Sequence, residues 1–227
     1  MSTNALKHLK SKNTRKTFEF SSIFYSPMIM TDKTTENGRV YLTPEGKYYP
    51  SVTTVLGKTK SESAKRSIEN WKNRLGTEEA ERQTQYAADN GTNLHNACEA
   101  YLRNEPIVHL TEKQRNDIRV LQPILNKIGV IHAIESPLYS NPLQIAGRVD
   151  CIAEYDGILS VIDFKTSKRI KEDYEIEDYF IQETAYAIMF REHYGKFPKQ
   201  IVTIMLSNNM TSQLFVKNTM DYVEKLL

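Results

Sequence analysis

Between Ala146 and Lys168 the chain reads AGRVDCIAEYDGILSVIDFKTSK, and three charged residues stand within or at the edge of its apolar runs: Asp150, Asp163 and Lys165. Charges on buried strands are costly unless paired or bound to a metal. Asp163 and Lys165 are two residues apart, so on a strand they share a face. Asp156-Gly157 is a strong hairpin signal, and a turn there would carry Asp150 and Asp163 toward each other. A simple ion pair holding the hairpin is the plainer explanation. Two acids, a lysine and the polar FKTSK that follows favour a reactive site instead. Such a set suits phosphodiester cleavage, which needs phosphate charge neutralised and a water made nucleophilic near neutral pH. Hard divalent cations held by carboxylates do both. A lysine beside them orients the water and offsets charge developing in the transition state.

The elements that must position these residues are legible from periodicity. Strands are expected at Ile131 to Tyr139, Ile145 to Glu154, Ile158 to Phe164, Gln200 to Leu206 and Gln213 to Val216. A helix from about Tyr179 to Tyr194 separates the third strand from the fourth, stopped by Gly195. Upstream, Gly38 to Pro50 reads as a short hairpin turning at Pro44-Glu45-Gly46. Ser51 caps a short helix closed by Gly57, and a second helix covers Glu62 to Leu75, with Ile68, Trp71 and Leu75 on one face and Trp71 as a core anchor. Helical propensity then runs from Thr77 to Asn104, with Asp89-Asn90-Gly91 as a potential break. After that break Leu94, Ala97, Cys98, Tyr101 and Leu102 form an apolar face, flanked by His95 and Glu99. A further helix is expected from Glu112 to Ile128, capped by Thr111 and ended by Gly129, and a short one at Thr219 to Leu227. The order predicts an α/β fold on a mixed sheet. Residues 1–37 read as a basic, partly mobile N-terminal tail and 38–227 as a single domain, with 51–90 as a helical arch or cap.

The composition is that of a globular protein: 40% hydrophobic and 26% charged over 227 residues. No apolar run reaches the roughly 20 residues of a membrane helix, and the basic N-terminus lacks the apolar core of a secretory signal. Cys98 and Cys151 are expected reduced, without disulfide, structural zinc or Fe–S cluster. A net charge of +2 hides an asymmetry: residues 1–75 hold 14 Lys+Arg against 6 Asp+Glu, the remainder 16 against 22. A basic third beside an acidic site fits attraction of phosphates to a metal centre; a solvated Lys-rich surface fits it equally.

Gly147-Arg148-Val149-Asp150 followed by Asp163-Phe164-Lys165-Thr166-Ser167 resembles the PD-(D/E)XK nuclease superfamily in its D-x-K form. Gly91-Thr92-x-x-His95 resembles the additional histidine motif of its RecB-like exonuclease branch, and Gln182-x-x-x-Tyr186 that branch's final motif. Within the branch, Tyr49 to Leu56 and Asp150 to Tyr155 are similar to the mitochondrial genome maintenance exonuclease group and its phage relatives. The likeness covers roughly Pro50 to Leu206. It implies a restriction-endonuclease-like core, a mixed sheet flanked by helices, with an N-terminal helical region.

The resemblance also implies roles. His95, Asp150 and Asp163 would bind Mg²⁺, with Mn²⁺ able to substitute and the Phe164 carbonyl as a further ligand. Lys165 would be the catalytic lysine and Glu135 would hold a second metal or its waters. Gln182 and Tyr186 would position active-site groups, while Thr166 and Ser167 would hydrogen-bond phosphate oxygens. The basic residues of the helical region, Lys65, Arg66, Lys72 and Arg74 with Lys58, Lys60 and Arg82, would lead single-stranded DNA to the metal. The expected activity is a metal-dependent DNA exonuclease preferring single strands or free ends, leaving 5′-phosphate and 3′-hydroxyl termini. It would serve replication, recombination, repair or genome turnover, beside replication or recombination proteins, in a phage or bacterial cytoplasm rather than a mitochondrion. A structure-specific endonuclease on the same core and a catalytically silent nucleic-acid-binding module are the alternatives. No GxxxxGK[ST] motif is present, so the chain is not itself a helicase.

Overall fold

A computed structural model describes residues 15–21 and 28–227. A five-stranded mixed sheet runs in the order β4-β5-β6-β7-β8. Its strands are β4 (Ile128–Ser140), β5 (Ile145–Tyr155), β6 (Ile158–Ser167), β7 (Gln200–Ser207) and β8 (Ser212–Asn218). The β5–β6 turn carries Asp156 and Gly157 at φ 49° and 80°, the positive dihedrals that an Asp-Gly hairpin supplies. β6 and β7 are parallel and every other neighbouring pair is antiparallel. The parallel step needs a crossover, which is α5 (Glu177–Tyr194), ended by Gly195 in the left-handed region.

The sheet buries both faces. On one, Cys151, Ile162, Phe164 and Val202 pack with Leu94, Cys98 and Tyr101 of α3 (Thr77–Leu102) and Leu121 of α4 (Glu112–Leu125). On the other, Val149, Val161 and Ile201 pack against Phe180, Ala187 and Phe190 of α5. This mixed sheet flanked by helices is the fold class expected. Both cysteines are free and buried. The N-terminal hairpin is joined by a third strand, giving β1 (Thr31–Thr35), β2 (Gly38–Leu42) and β3 (Tyr48–Pro50). Ser51 caps α1 (Val52–Thr59) by accepting the Thr54 N–H.

Several expectations need correction. Asp89-Asn90-Gly91 breaks nothing: α3 is one helix of 26 residues. A mid-helix glycine costs only about 1 kcal/mol, and the buried run from Leu94 to Leu102 holds the helix beyond it. α1 passes through Gly57 to Thr59, and α4 stops at Leu125, with Gly129 already inside β4. Trp71 is no core anchor. It is half-buried, and α2 (Glu62–Leu75) contains no buried residue at all. Residues 1–37 are also not simply a tail. Glu19 and Ser21 exchange backbone hydrogen bonds with Ile131 on the edge strand β4, Phe18 is buried against Tyr101, and β1 pairs with β2. Covering a sheet edge in this way protects it from pairing with other chains. The rest of the expected tail, residues 1–14 and 22–27, lies outside the described residues. Among the described residues no helix is long and apolar enough to cross a membrane.

Candidate active site

The site lies in a fork of the sheet. The β5–β6 ladder ends at Cys151–Ile162, one step short of Asp150 and Asp163, while β6 continues beside β7 to Ser167. The strands part there, and the Phe164 N–H, lacking a cross-strand carbonyl, is taken by Asp150 Oδ2 at 2.9 Å. The same oxygen lies 3.3 Å from His95 Nδ1, which reaches in from α3 with its ring edge-on to Phe164. Glu135 comes from β4. Its φ of 48° is uncommon for a non-glycine residue and costs on the order of 1–3 kcal/mol. One ligand atom from each of His95, Glu135 and Asp150 falls within a 4.8 Å group. On β6, Asp163 is in ion-pair contact with Lys165, whose ammonium lies 4.9 Å from the centre of the Tyr179 ring.

Burial sets the charge states. Burial alone would discharge His95, but the hydrogen bond and charge of Asp150 outweigh it and raise its pKa to about 9. Burial, then the charge of Asp150, pushes Glu135 up to about 7. Burial also raises Asp163, to about 6, against the pull of Lys165. Asp150 moves the other way: burial is overcome by His95, which holds its carboxyl below the usual range. Lys165 is raised, since Asp163 and Asp150 together outweigh its burial. It is therefore a cation at neutral pH.

A divalent cation fits this donor set. The carboxylates suit Mg²⁺ or Mn²⁺, and the softer imidazole favours Mn²⁺ of the two. Asp163 is almost fully buried, and neither of its carboxylate oxygens has a well-directed hydrogen-bond donor despite the Lys165 contact. A buried carboxylate with one cationic neighbour and no other donor keeps lone pairs free for a second cation.

Seven of the sequence-derived residues therefore converge or lie alongside: His95, Glu135, Asp150, Asp163 and Lys165 around the fork, with Gln182 and Tyr186 behind it. A Cβ on Gly147 would lie 2.7 Å from the Tyr186 ring, so glycine at the start of the GRVD motif is what lets α5 approach β5. Phe164 joins through its amide, which donates to Asp150; this leaves its carbonyl available for the ligand role expected of it. Thr166 and Ser167 sit at the end of β6, where they line a groove with Asn90 and Asn208. Lys65, Arg66, Lys72 and Arg74 are not in the cluster; they are exposed along α2, and Lys65 is paired with Glu62.

Glu183 was missed. It is fully buried, accepts the Thr203 hydroxyl from β7 through Oε1, and leaves Oε2 without a partner. Burial, then the charge of Asp163, raises its pKa well above the ordinary carboxylate value. The signal was available: Glu183 is the one charged residue between Asp178 and Arg191, in an otherwise uncharged helical stretch. Tyr179, beneath the lysine, was likewise not singled out.

The profile of the PD-(D/E)XK nuclease superfamily matches residues 107–224, more than half the chain, and the chain belongs to that superfamily. That span contains Glu135, Asp150, Asp163, Lys165, Gln182 and Tyr186; His95 lies before it. Among individual proteins, the chain is similar to mitochondrial genome maintenance exonuclease 1 of Homo sapiens, 35% identical over 131 residues. It is similar to the Mus musculus protein of that name, 35% over 130 residues, and to that of Xenopus tropicalis, 32% over 133. The human alignment takes in 54% of this chain but 38% of the relative, so the chain spans well under half the length of the curated proteins it matches. A solved structure of a candidate exonuclease from Eubacterium rectale aligns with a TM-score of 0.43 at 12% identity, over 62% of this chain and 61% of that one.

Proposed function

We propose that this domain is a divalent-metal-dependent DNA exonuclease preferring single strands or free ends. The observation that carries the reading is the convergence of His95, Glu135 and Asp150 within 4.8 Å, beside the Asp163–Lys165 pair. When bound by His95, Asp150, Asp163 and Glu135, Mg²⁺ or Mn²⁺ would supply Lewis-acid neutralisation of the scissile phosphate and a more acidic water. The chain's own residues do the rest. Lys165, held by Asp163 over Tyr179, presents a permanent cation that orients the attacking water and balances charge on the phosphorus oxygens. The Phe164 amide fixes the Asp150 carboxylate, and the Tyr186–Gly147 contact fixes the strand that carries it. Thr166 and Ser167 supply hydroxyls to the phosphates that follow. The similarity to proteins named as exonucleases supports attack from an end, and the exposed basic residues of α2 support a single-strand path.

The test is cleavage of linear single-stranded DNA labelled at either end, in Mg²⁺, Mn²⁺ or EDTA, with a Lys165→Ala variant alongside. Metal-dependent shortening, reduced on the order of 10²–10³-fold in the variant, is the expected result, and the label released first gives the polarity. Circular single-stranded DNA should remain uncut; cleavage of the circle would replace the reading with an endonuclease. Tight binding without cleavage of any strand, duplex or flap would replace it with a binding module.

A further inference from the structure

The N-terminal half of α3 carries an exposed aromatic where a solvated helix face needs none. Tyr86 is 57% exposed, yet three adjoining cavities meet at its ring. The widest, about 350 Å³, is lined by Arg82, Gln83, Tyr86 and Lys168. The other two, about 110 and 130 Å³, run between Tyr86 and Asn90 on the helix and Thr166, Ser167 and Asn208 at the ends of β6 and β7. Thr166 follows Lys165 on β6, its side chain on the α3 face and that of Lys165 toward α5, so this trough runs along the end of the strand that carries the reactive lysine. A scattered surface aromatic is ordinary; one that walls a trough with Lys168 at its mouth, beside the end of the lysine-bearing strand, is not.

The charges complete the argument. Lys168 Nζ donates to the neutral Gln83 amide at 2.7 Å and lies 5.8 Å from the Trp71 ring, and the acid whose field it feels, Glu79, is itself paired with Arg82. It is held between α2 and α3 at the mouth of the widest cavity. Tyr86 precedes His95 by nine residues, a helical rise of about 13.5 Å, or roughly four stacked nucleotides and fewer if the strand is extended.

We propose that Tyr86 is the stacking platform of a nucleotide subsite, taking the base of a single-stranded nucleotide a few residues from the scissile bond while Lys168 takes an adjoining phosphate. This inference rests on the nuclease reading and adds a binding residue to it. Tyr86 touches no reacting atom, so it would set affinity and the minimum length of strand, not the chemical step. A face-stacking site is indifferent to which base it receives.

The test uses single-stranded oligonucleotides carrying 2-aminopurine, or an abasic residue, at successive positions, bound to the Lys165→Ala chain in Mg²⁺ and to the wild-type chain in EDTA. Quenching of 2-aminopurine should peak at one position, vanish in Tyr86→Ala and persist in Tyr86→Phe and Tyr86→Trp. Tyr86→Ala should weaken binding roughly 5- to 100-fold, the range of one base–aromatic stack. An abasic residue at that position should weaken the parent equally and leave Tyr86→Ala unaffected. In otherwise wild-type enzyme, Tyr86→Ala should raise KM for long strands and leave kcat nearly unchanged. Normal cleavage and binding with no position sensitive to Tyr86→Ala would overturn the subsite alone. Absence of any DNA binding would overturn it together with the nuclease reading.

Discussion

At the scale of single residues, two of the proposed ligands stand in the protonation states that a cation must displace. His95, with a pKa near 9, is protonated at neutral pH, and Glu135, near 7, is about half protonated. Metal ligands must be neutral imidazole and ionised carboxylate, so protons compete with the cation and apparent affinity for Mn²⁺ should rise as pH rises from 6 toward 9. The metal-free protein should behave oppositely. A histidine pKa raised from 6.5 to about 9 contributes stability that is complete below 6.5 and is lost as pH climbs through 9. Glu135, raised from 4.5 to about 7, likewise favours the folded state only while protonated. In EDTA, Tm should therefore fall between pH 6.5 and 9, by an amount equivalent to about 1–3 kcal/mol. His95→Gln should flatten that fall, and the Tm gain on adding Mn²⁺ should be larger at pH 8.5 than at 6.5. Thermal denaturation across the pH series, with and without Mn²⁺, decides this. A metal-induced gain that is larger at the acid end would contradict the ligand assignment.

At the scale of elements, the fork works because β5 can lie close under α5. Gly147→Ala would place a methyl 2.7 Å from the Tyr186 ring. Over-packing of this kind costs about 1–3 kcal/mol, or a Tm loss on the order of 2–10 °C for a chain of this size. It also displaces the strand bearing Asp150, so activity should fall with Tm. Tyr186→Ala in the same chain should recover much of the stability lost to the new methyl, and a double-mutant cycle on Tm reads the coupling. These elements explain what was legible in the sequence. Asp163 and Lys165 share a face because strand alternation is strict, and Asp156-Gly157 fixed the hairpin through its dihedrals. Ser51 and Gly195 marked helix ends through capping chemistry. Local rules failed where tertiary burial decided the outcome. Gly91 sits in a helix held from beyond it by Leu94 and Cys98, and Trp71 looked like core because its helix is amphipathic, although α2 packs on α3 and buries no residue fully. Glu183 stands out in the sequence as the lone charge of its helical stretch, but its partner, Thr203, 20 residues away on β7, is set by the tertiary fold.

At the scale of the whole molecule, the basic N-terminal third and the acidic remainder meet across α2. Lys60, just before α2, lies 3.9 Å from Asp178 at the start of α5, and Trp71, near its end, lies beneath Lys168 after β6. The two ends of the helix thus lie near the start of α5 and the residue after β6, with Lys65, Arg66, Lys72 and Arg74 along an exposed surface. α2 contains no fully buried residue, so packing alone does little to explain it, and the proposed role is a path for the strand. For single-stranded nucleic acid the salt dependence of log K is about −0.7 per phosphate neutralised. Replacing all four basic residues with glutamine should then weaken binding of a single-stranded oligonucleotide at low salt and flatten the slope by up to about 3. Lys65 will contribute least, because Glu62 already pairs with it at 2.9 Å. Mn²⁺-induced thermal stabilisation should be unchanged, since none of the four approaches the His95–Glu135–Asp150 cluster. Binding titrations across a salt series separate the cases. An unaltered slope would mean that the strand runs elsewhere and that α2 is a cap over the sheet; a lost Mn²⁺ effect would mean that α2 holds the fork together, and the arch would then be structural before it is electrostatic.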